Sequence, residues 1–219
     1  MAELRTEEEQ LEAIKRWWKE NGTSLIAGVV IAAAGVFGWN AWQNHQDNRA
    51  EAASIRYQEL VNLTAGNASD EAQLAQARTL ADEISDEHGG TLYAELAQLL
   101  DARLAVQQED INGAKETLEG VIDDSSRPYV QSLARLRLAR LAIATDDPQG
   151  ALTLLDQPIV DALAAQRDDI RGDAYFALDQ QDDARDAWQN ALTLAQEQSQ
   201  PLYGVQLKLD DLGTKETAL

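Results

Sequence analysis

Residues 172–191 read GDAYFALDQQDDARDAWQNA, and this stretch decides the fold. It describes two helices joined by an acidic turn. The first, over residues 170–178, offers small Gly172 and aromatic Tyr175. The second offers Ala184, Trp188 and Ala191, at i, i+4 and i+7 on one helical face. Small residues let the two helices of a hairpin touch. The aromatics fill the gap to the next hairpin. Asp182-Asp183 supplies the acidic turn.

The same phrase recurs upstream. Ala77, Ala114, Ala151 and Ala184 stand 37, 37 and 33 residues apart and open ARTLADEI, AKETLEGVI, ALTLLDQPI and ARDAWQNAL. A large apolar residue follows at +4 (Leu118, Leu155, Trp188) and an apolar or small one at +7 (Ile84, Val121, Ala191). Acidic pairs Glu109-Asp110 and Asp146-Asp147 precede the middle two phrases. Asp147-Pro148 reads as N-cap then N1, where the missing proline amide costs nothing. Helical stretches at 92–106 and 129–144 come before those turns. Helix, turn and helix at a period near 34 residues is the tetratricopeptide spacing. The earlier repeats are degenerate, with Ala102 and Ala105 where glycine and tyrosine would stand. After Pro201, residues Leu202, Val205, Leu209 and Leu212 form one stripe, suited to a helix that caps the last hairpin. The expected repeats cover residues 67–200 and the cap and tail 201–219.

Working toward the N-terminus, residues 23–42 read TSLIAGVVIAAAGVFGWNAW, and no charged residue occurs between Glu20 and Asp47. Twenty helical residues span about 30 Å, the thickness of a bilayer's hydrocarbon core. Trp17 and Trp18 precede the stretch, and Trp39 and Trp42 close it, as aromatic belts do at both membrane interfaces. The fold class expected is therefore all-α: one N-terminal transmembrane helix, then an α-solenoid of tetratricopeptide-like repeats. Residues 1–22 read as a cytoplasmic leader. Thr6 and Glu9 make a capping box, Leu11, Ile14 and Trp18 make an apolar stripe, and Asn21-Gly22 is expected to stop the helix. Residues 43–66 lack proline, and glycine only enters at Gly66, so they read as a connecting helix ended by Gly66-Asn67. Gly28/Ala32 and Ala34/Gly38 are small-xxx-small pairs, which permit close helix approach in lipid.

Charge sets orientation and narrows the partners. Arg5, Lys15, Arg16 and Lys19 precede the span, against Arg49 and Arg56 a comparable distance after it. The positive-inside rule then puts the N-terminus in the cytoplasm and the large domain across the membrane. A cleaved signal peptide is the competing reading, but the leader is long and Trp39 spoils the small-x-small cleavage pattern. Of 38 acidic and 18 basic residues, 32 and 14 fall in residues 47–219. So acidic a domain repels nucleic acid and anionic headgroups. With no cysteine, thiolate metal sites and cysteine nucleophiles are excluded.

No catalytic constellation emerges. His45 and His88, the only histidines, lack a nearby serine nucleophile or a second ligand at helical spacing. The run Asp179, Asp182, Asp183 lacks the glycine and terminal glutamate of a calcium loop. The expectation is a non-enzymatic chain that needs no cofactor.

A binding surface is expected instead. First helices line the concave face of tetratricopeptide stacks. Register from the repeat alanines places Leu99, Arg103 and Val106 against Leu136, Arg140 and Ile143, with Asp169, Asp173 and Phe176 in the third repeat. Leu99, Arg103, Val106, Leu136, Arg140, Ile143 and Phe176 are the candidate partner-binding residues. Arg103 and Arg140 could either neutralise nearby carboxylates or hold a partner's carboxylate or backbone carbonyls with a planar fork of donors.

The whole chain resembles the YfgM-like family of ancillary SecYEG translocon subunits. The resemblance rests on the basic, aromatic leader ending in ENG (residues 15–22), GW followed by HQ (Gly38-Trp39, His45-Gln46), RLAR at 137–140, and RGDAYFALDQQDDARDAW at 171–188. It implies a single-pass protein of the bacterial inner membrane with a periplasmic repeat domain. It further implies a place beside the SecYEG translocon with a membrane-anchored periplasmic chaperone of the prolyl-isomerase type, assisting protein translocation. A membrane-anchored scaffold that regulates envelope stress signalling, and an anchored hydrolase, are the other two readings.

Overall fold

A computed structural model describes residues 7–65 and 71–213. Thr6 of the capping box, the Gly66-Asn67 break and the tail 214–219 lie outside the described residues. The chain divides into two compact units, Met1–Glu51 and Ala52–Leu219.

The first unit is helical from Glu7, in a helix α1 that runs Glu7–Thr64. Leu25, Val30, Ile31 and Phe37 are 43–75% exposed, as are all four flanking tryptophans at 51–61%. Water would penalise so continuous an apolar surface, and a hydrocarbon layer would not. α1 is long and apolar enough to cross a membrane. The helix does not stop at Asn21-Gly22. The Asn21 side-chain amide donates to the Trp17 carbonyl at 3.1 Å. The Trp18 indole lies over Gly22, where an added Cβ would meet it at 3.4 Å. The Trp18 ring, one turn back, thus covers the backbone that Gly22 would otherwise expose to water, the usual cost of glycine inside a helix.

The second unit is all-α. Its helices are the last turns of α1, then α2 (Glu71–His88), α3 (Leu92–Gln107), α4 (Ile111–Asp124), α5 (Pro128–Ala144), α6 (Pro148–Leu155), α7 (Ala164–Ala177), α8 (Gln181–Glu197) and α9 (Val205–Asp211). The repeat alanines explain the packing. Ala77, Ala114, Ala151 and Ala184 are each at most 1% exposed, so helix backbones meet where a larger side chain would hold them apart. Leu118, Leu155 and Trp188, one turn on, are buried beside them. Within this unit Ala53 and Leu60 of α1 are fully buried; Leu60 shares a core with Leu74, Ala77 and Leu104.

The turns between paired helices share one construction. Glu109 and Asp146 adopt φ of 62° and 64°. The next amide reaches back to a carbonyl five residues earlier, Asp110 to Ala105 and Asp147 to Ala142, both at 2.9 Å. This is the Schellman ending, with acidic residues where glycine is usual. Asp110 and Asp147 then cap α4 and α6 by accepting from Gly113 and Gly150 amides. In the third hairpin the left-handed residue is Asp179, φ 61°, and Gln180 N bonds Tyr175 O. Asp182-Asp183, expected as the turn, instead occupies the first turn of α8, where carboxylates suit the positive end of the helix.

Asp110 also ties two hairpins together. Arg78 of α2 donates to Asp101 at 2.9 Å, to Gln108 at 3.1 Å and to Asp110 at 3.0 Å. The Gly113 amide and then the Arg78 guanidinium hold the Asp110 carboxyl below the usual aspartate range. A depressed carboxylate stabilises the fold above its unfolded pKa and loses that contribution as pH falls through the folded value. Asp110→Ala should therefore lower urea stability at neutral pH. The gap from wild type should shrink steadily in acid; a gap independent of pH would rule out an ionised cap.

Candidate partner-binding surface

The predicted row splits by burial. Leu99 and Leu136 are 2% and 1% exposed and belong to the core. They present almost no surface of their own, although Leu99 reaches the lining of the cleft described below. A helix packed on three neighbours turns its inner positions inward, and register alone does not separate those from the rim. Arg103, Val106, Arg140 and Phe176 are exposed, and Ile143 is half-buried. Arg103 stands on α3 and Arg140 on α5.

The third-repeat positions are filled from within. Lys208 of α9 places its ammonium 2.6 Å from both Asp169 and Asp173. The same ammonium lies 5.6 Å from the Trp188 ring centre, a cation–π distance. Burial is the main force pushing the Asp173 carboxyl up, against the pull of Lys208. Here the C-terminal helix covers the last hairpin, with Val205 fully buried and Leu202, Leu209 and Leu212 against the same cluster.

Between the last turns of α1 and helices α3 and α5 the second unit has a cleft of about 320 Å³. Its walls include Tyr57 and Val61 from α1, Leu96, Leu100 and Arg103 from α3, and Arg137 from α5. Arg137 donates Nη1 to the Leu99 carbonyl at 2.6 Å, which fixes the guanidinium across two helices. Burial, then the nearby Arg103 and Arg140 guanidinia, push the Arg137 pKa down. A guanidinium stays protonated in proteins, so all three arginines carry charge.

None of these three arginines pairs with a carboxylate among the described residues. Most other basic groups of the unit do. Arg78 holds Asp101 and Asp110, Arg127 holds Glu95 at 2.7 Å, and Arg171 holds Asp156 at 2.8 Å. In a chain of net charge −20, three adjacent arginines left without carboxylates make a concentrated positive patch. The alternative reading of Arg103 and Arg140, neutralisation of local carboxylates, finds no such pair among the described residues. Arg137 was missed in the row of candidates, although it stands one turn before Arg140 in the RLAR phrase. Three arginines in six residues of α5, at 135, 137 and 140, were the available signal.

Among the described residues no cluster of histidine, aspartate and glutamate could hold a metal ion. Comparison with known proteins places the chain in a family. The tetratricopeptide repeat-like domain family matches residues 15–214. The ancillary SecYEG translocon subunit of Escherichia coli (strain K12) is 31% identical over 183 residues, covering 84% of this chain and 85% of that protein. This chain belongs to the ancillary SecYEG translocon subunit family. The relative from Aggregatibacter actinomycetemcomitans, which has the same name, is 38% identical over 58% of this chain and 59% of its own length. That from Haemophilus influenzae is 30% identical over 54% of this chain and 55% of its own length. The match to these two thus spans little more than half of each. No solved structure gives a significant match. Relatives named as translocon subunits agree with the reading of a non-enzymatic chain.

Proposed function

We infer that this chain is a non-enzymatic accessory of the Sec translocon in the bacterial inner membrane. α1 anchors it with the N-terminus in the cytoplasm. The repeat domain stands in the periplasm, binds a membrane-anchored chaperone of the prolyl-isomerase type, and assists translocation of secreted proteins. One observation carries the binding role. Arg103 and Arg140 are exposed on adjacent hairpins of a strongly acidic domain, beside Arg137, and no carboxylate among the described residues pairs with them. Exposed guanidinium groups with no carboxylate partner among the described residues are available to a partner's carboxylates or carbonyls.

The test is Arg103→Glu combined with Arg140→Glu. Both side chains are exposed, so helicity and melting should match wild type. Affinity purification from membranes in mild detergent should recover translocon subunits and a prolyl-isomerase-type chaperone with the wild-type chain. The double variant should lose most of the chaperone. Undiminished capture by the folded variant would place the partner surface elsewhere. A signalling protein recovered in place of the translocon would turn the reading to the regulatory scaffold.

A further inference from the structure

The inferred row of Arg103 and Arg140 borders a cleft, which Arg103 itself helps to line. Its polar and apolar groups are arranged in a way the row does not explain. Arg137 is half-buried and anchored by one N–H on the Leu99 carbonyl, and its other donors have no further partner among the described residues. Arg103 lines the same cleft one turn along α3 from the Leu99 carbonyl. The lining also has an apolar wall of Val61, Leu96 and Leu100, and Tyr57 adds an aromatic face steadied by Tyr93 at 5.9 Å between ring centres.

The geometry points to this cleft as a socket for a short acidic segment of a partner polypeptide, a carboxylate side chain seated on Arg137 and Arg103 with an adjacent apolar side chain against Val61, Leu96 and Leu100. It rests on the reading above that this surface receives a partner, and names the chemistry that it takes. Three points select this occupant. The guanidinia need an acceptor anion, and Arg137, held across two helices, has already lost the freedom that a flexible side chain would give up on binding. The apolar wall offers nothing to a bare inorganic anion and suits a side chain of leucine or valine kind. At about 320 Å³ the cleft lies at the small end of ligand sites, room for two side chains rather than a folded surface. A membrane of anionic lipid meets the opposite condition, since the domain around the cleft carries a large excess of carboxylates.

The experiment uses the full chain in nanodiscs of zwitterionic phosphatidylcholine and a fluorescent heptapeptide of alternating glutamate and leucine. Fluorescence anisotropy should show saturable binding that weakens with salt. The same peptide with glutamine for glutamate should bind about ten-fold less tightly, the loss expected for one charge-assisted pair. Arg137→Gln should weaken the glutamate peptide by a similar factor. Because Arg137 also bonds the Leu99 carbonyl, Arg103→Gln provides a second variant at an exposed position with no hydrogen bond among the described residues. It should weaken binding several-fold at unchanged melting temperature. Equal affinity for the glutamate and glutamine peptides, or wild-type affinity in both variants, would overturn the socket. So would a glutamate–glycine peptide binding as well as the glutamate–leucine one, since that describes a bare anion site. Competition by phosphatidylglycerol vesicles that leaves the peptides indistinguishable would reassign the arginines to a lipid headgroup. If the peptide fails to bind while translocon subunits still co-purify, the socket alone is wrong. If it binds and no translocon subunit co-purifies, the functional reading alone is wrong.

Discussion

Trp188→Ala should cost the repeat domain about 3–5 kcal/mol, the range for deleting a large buried aromatic. Trp188 is 3% exposed and stands where three separate devices converge. Its indole N–H donates to the Asp169 carbonyl at 3.1 Å and to Asp173 at 3.2 Å. Phe176 meets the ring at 5.8 Å between centres, and Lys208 lies over it. Across α7 it lies against Gly172, where an added Cβ would overlap Cδ1, Nε1 and Cγ of the indole. The alanine variant opens a cavity and strips a donor from two acceptors. Trp188→Phe keeps most of the volume and should cost only about 1–3 kcal/mol, mainly the lost N–H. Gly172→Ala should cost about 1–3 kcal/mol through overpacking against the ring. The diagnostic result is the coupling. In the Trp188→Ala background the glycine substitution should cost little, because the ring that it strikes is gone. Denaturant unfolding of the full chain in detergent measures all four. A Trp188→Ala loss under about 1 kcal/mol, or additive costs, would contradict the packing described here.

Gly172 and Trp188 also illustrate what was legible in the residues. A glycine sixteen positions before a tryptophan says little alone, but the repeat phrase assigns one to each helix of a hairpin; it aimed the ring at the next hairpin, and the contact with Gly172 emerges only in the fold. The four alanines were legible for the same reason: closely packed helices cannot tolerate a larger side chain there, so the spacing is written in the composition. Three features were not. Asn21-Gly22 looked like a stop because glycine destabilises helices in water. The rescue by the Trp17 carbonyl and the Trp18 ring depends on side-chain placement, which no propensity records. Register placed Leu99 and Leu136 with Arg103 and Arg140. Whether a position faces a groove or a neighbouring helix depends on the rotation of the hairpin. Arg137 was hidden in turn because its partner is a backbone carbonyl of α3, and backbone acceptors leave no mark in a sequence.

Membrane orientation carries the other large expected effect, because its readout is all or none. The chain has no cysteine, so single-cysteine variants report without background. Glu12→Cys lies before the apolar stretch and Glu119→Cys on α4; both positions are exposed, and both backbones are helical. Asp179, with φ of 61°, is a poorer choice, because cysteine resists the left-handed conformation. In spheroplasts a charged, membrane-impermeant maleimide should label Glu119→Cys fully. It should leave Glu12→Cys untouched until the membrane is permeabilised. The physical ground is the asymmetry of Lys and Arg: Arg5, Lys15, Arg16 and Lys19 before the span, Arg49 and Arg56 after it. Acidic residues contribute little to orientation, so the excess of carboxylates in the large domain does not oppose the rule. The asymmetry can be tested directly. Lys15→Gln, Arg16→Gln and Lys19→Gln together leave one basic residue before the span against two after it. Glu12→Cys should then become labelled in a fraction of molecules, with a matching loss at Glu119→Cys. Labelling of Glu12→Cys in otherwise unaltered chains would invert the orientation. It would remove the repeat domain, and the arginines on its surface, from the periplasmic partners assigned to them.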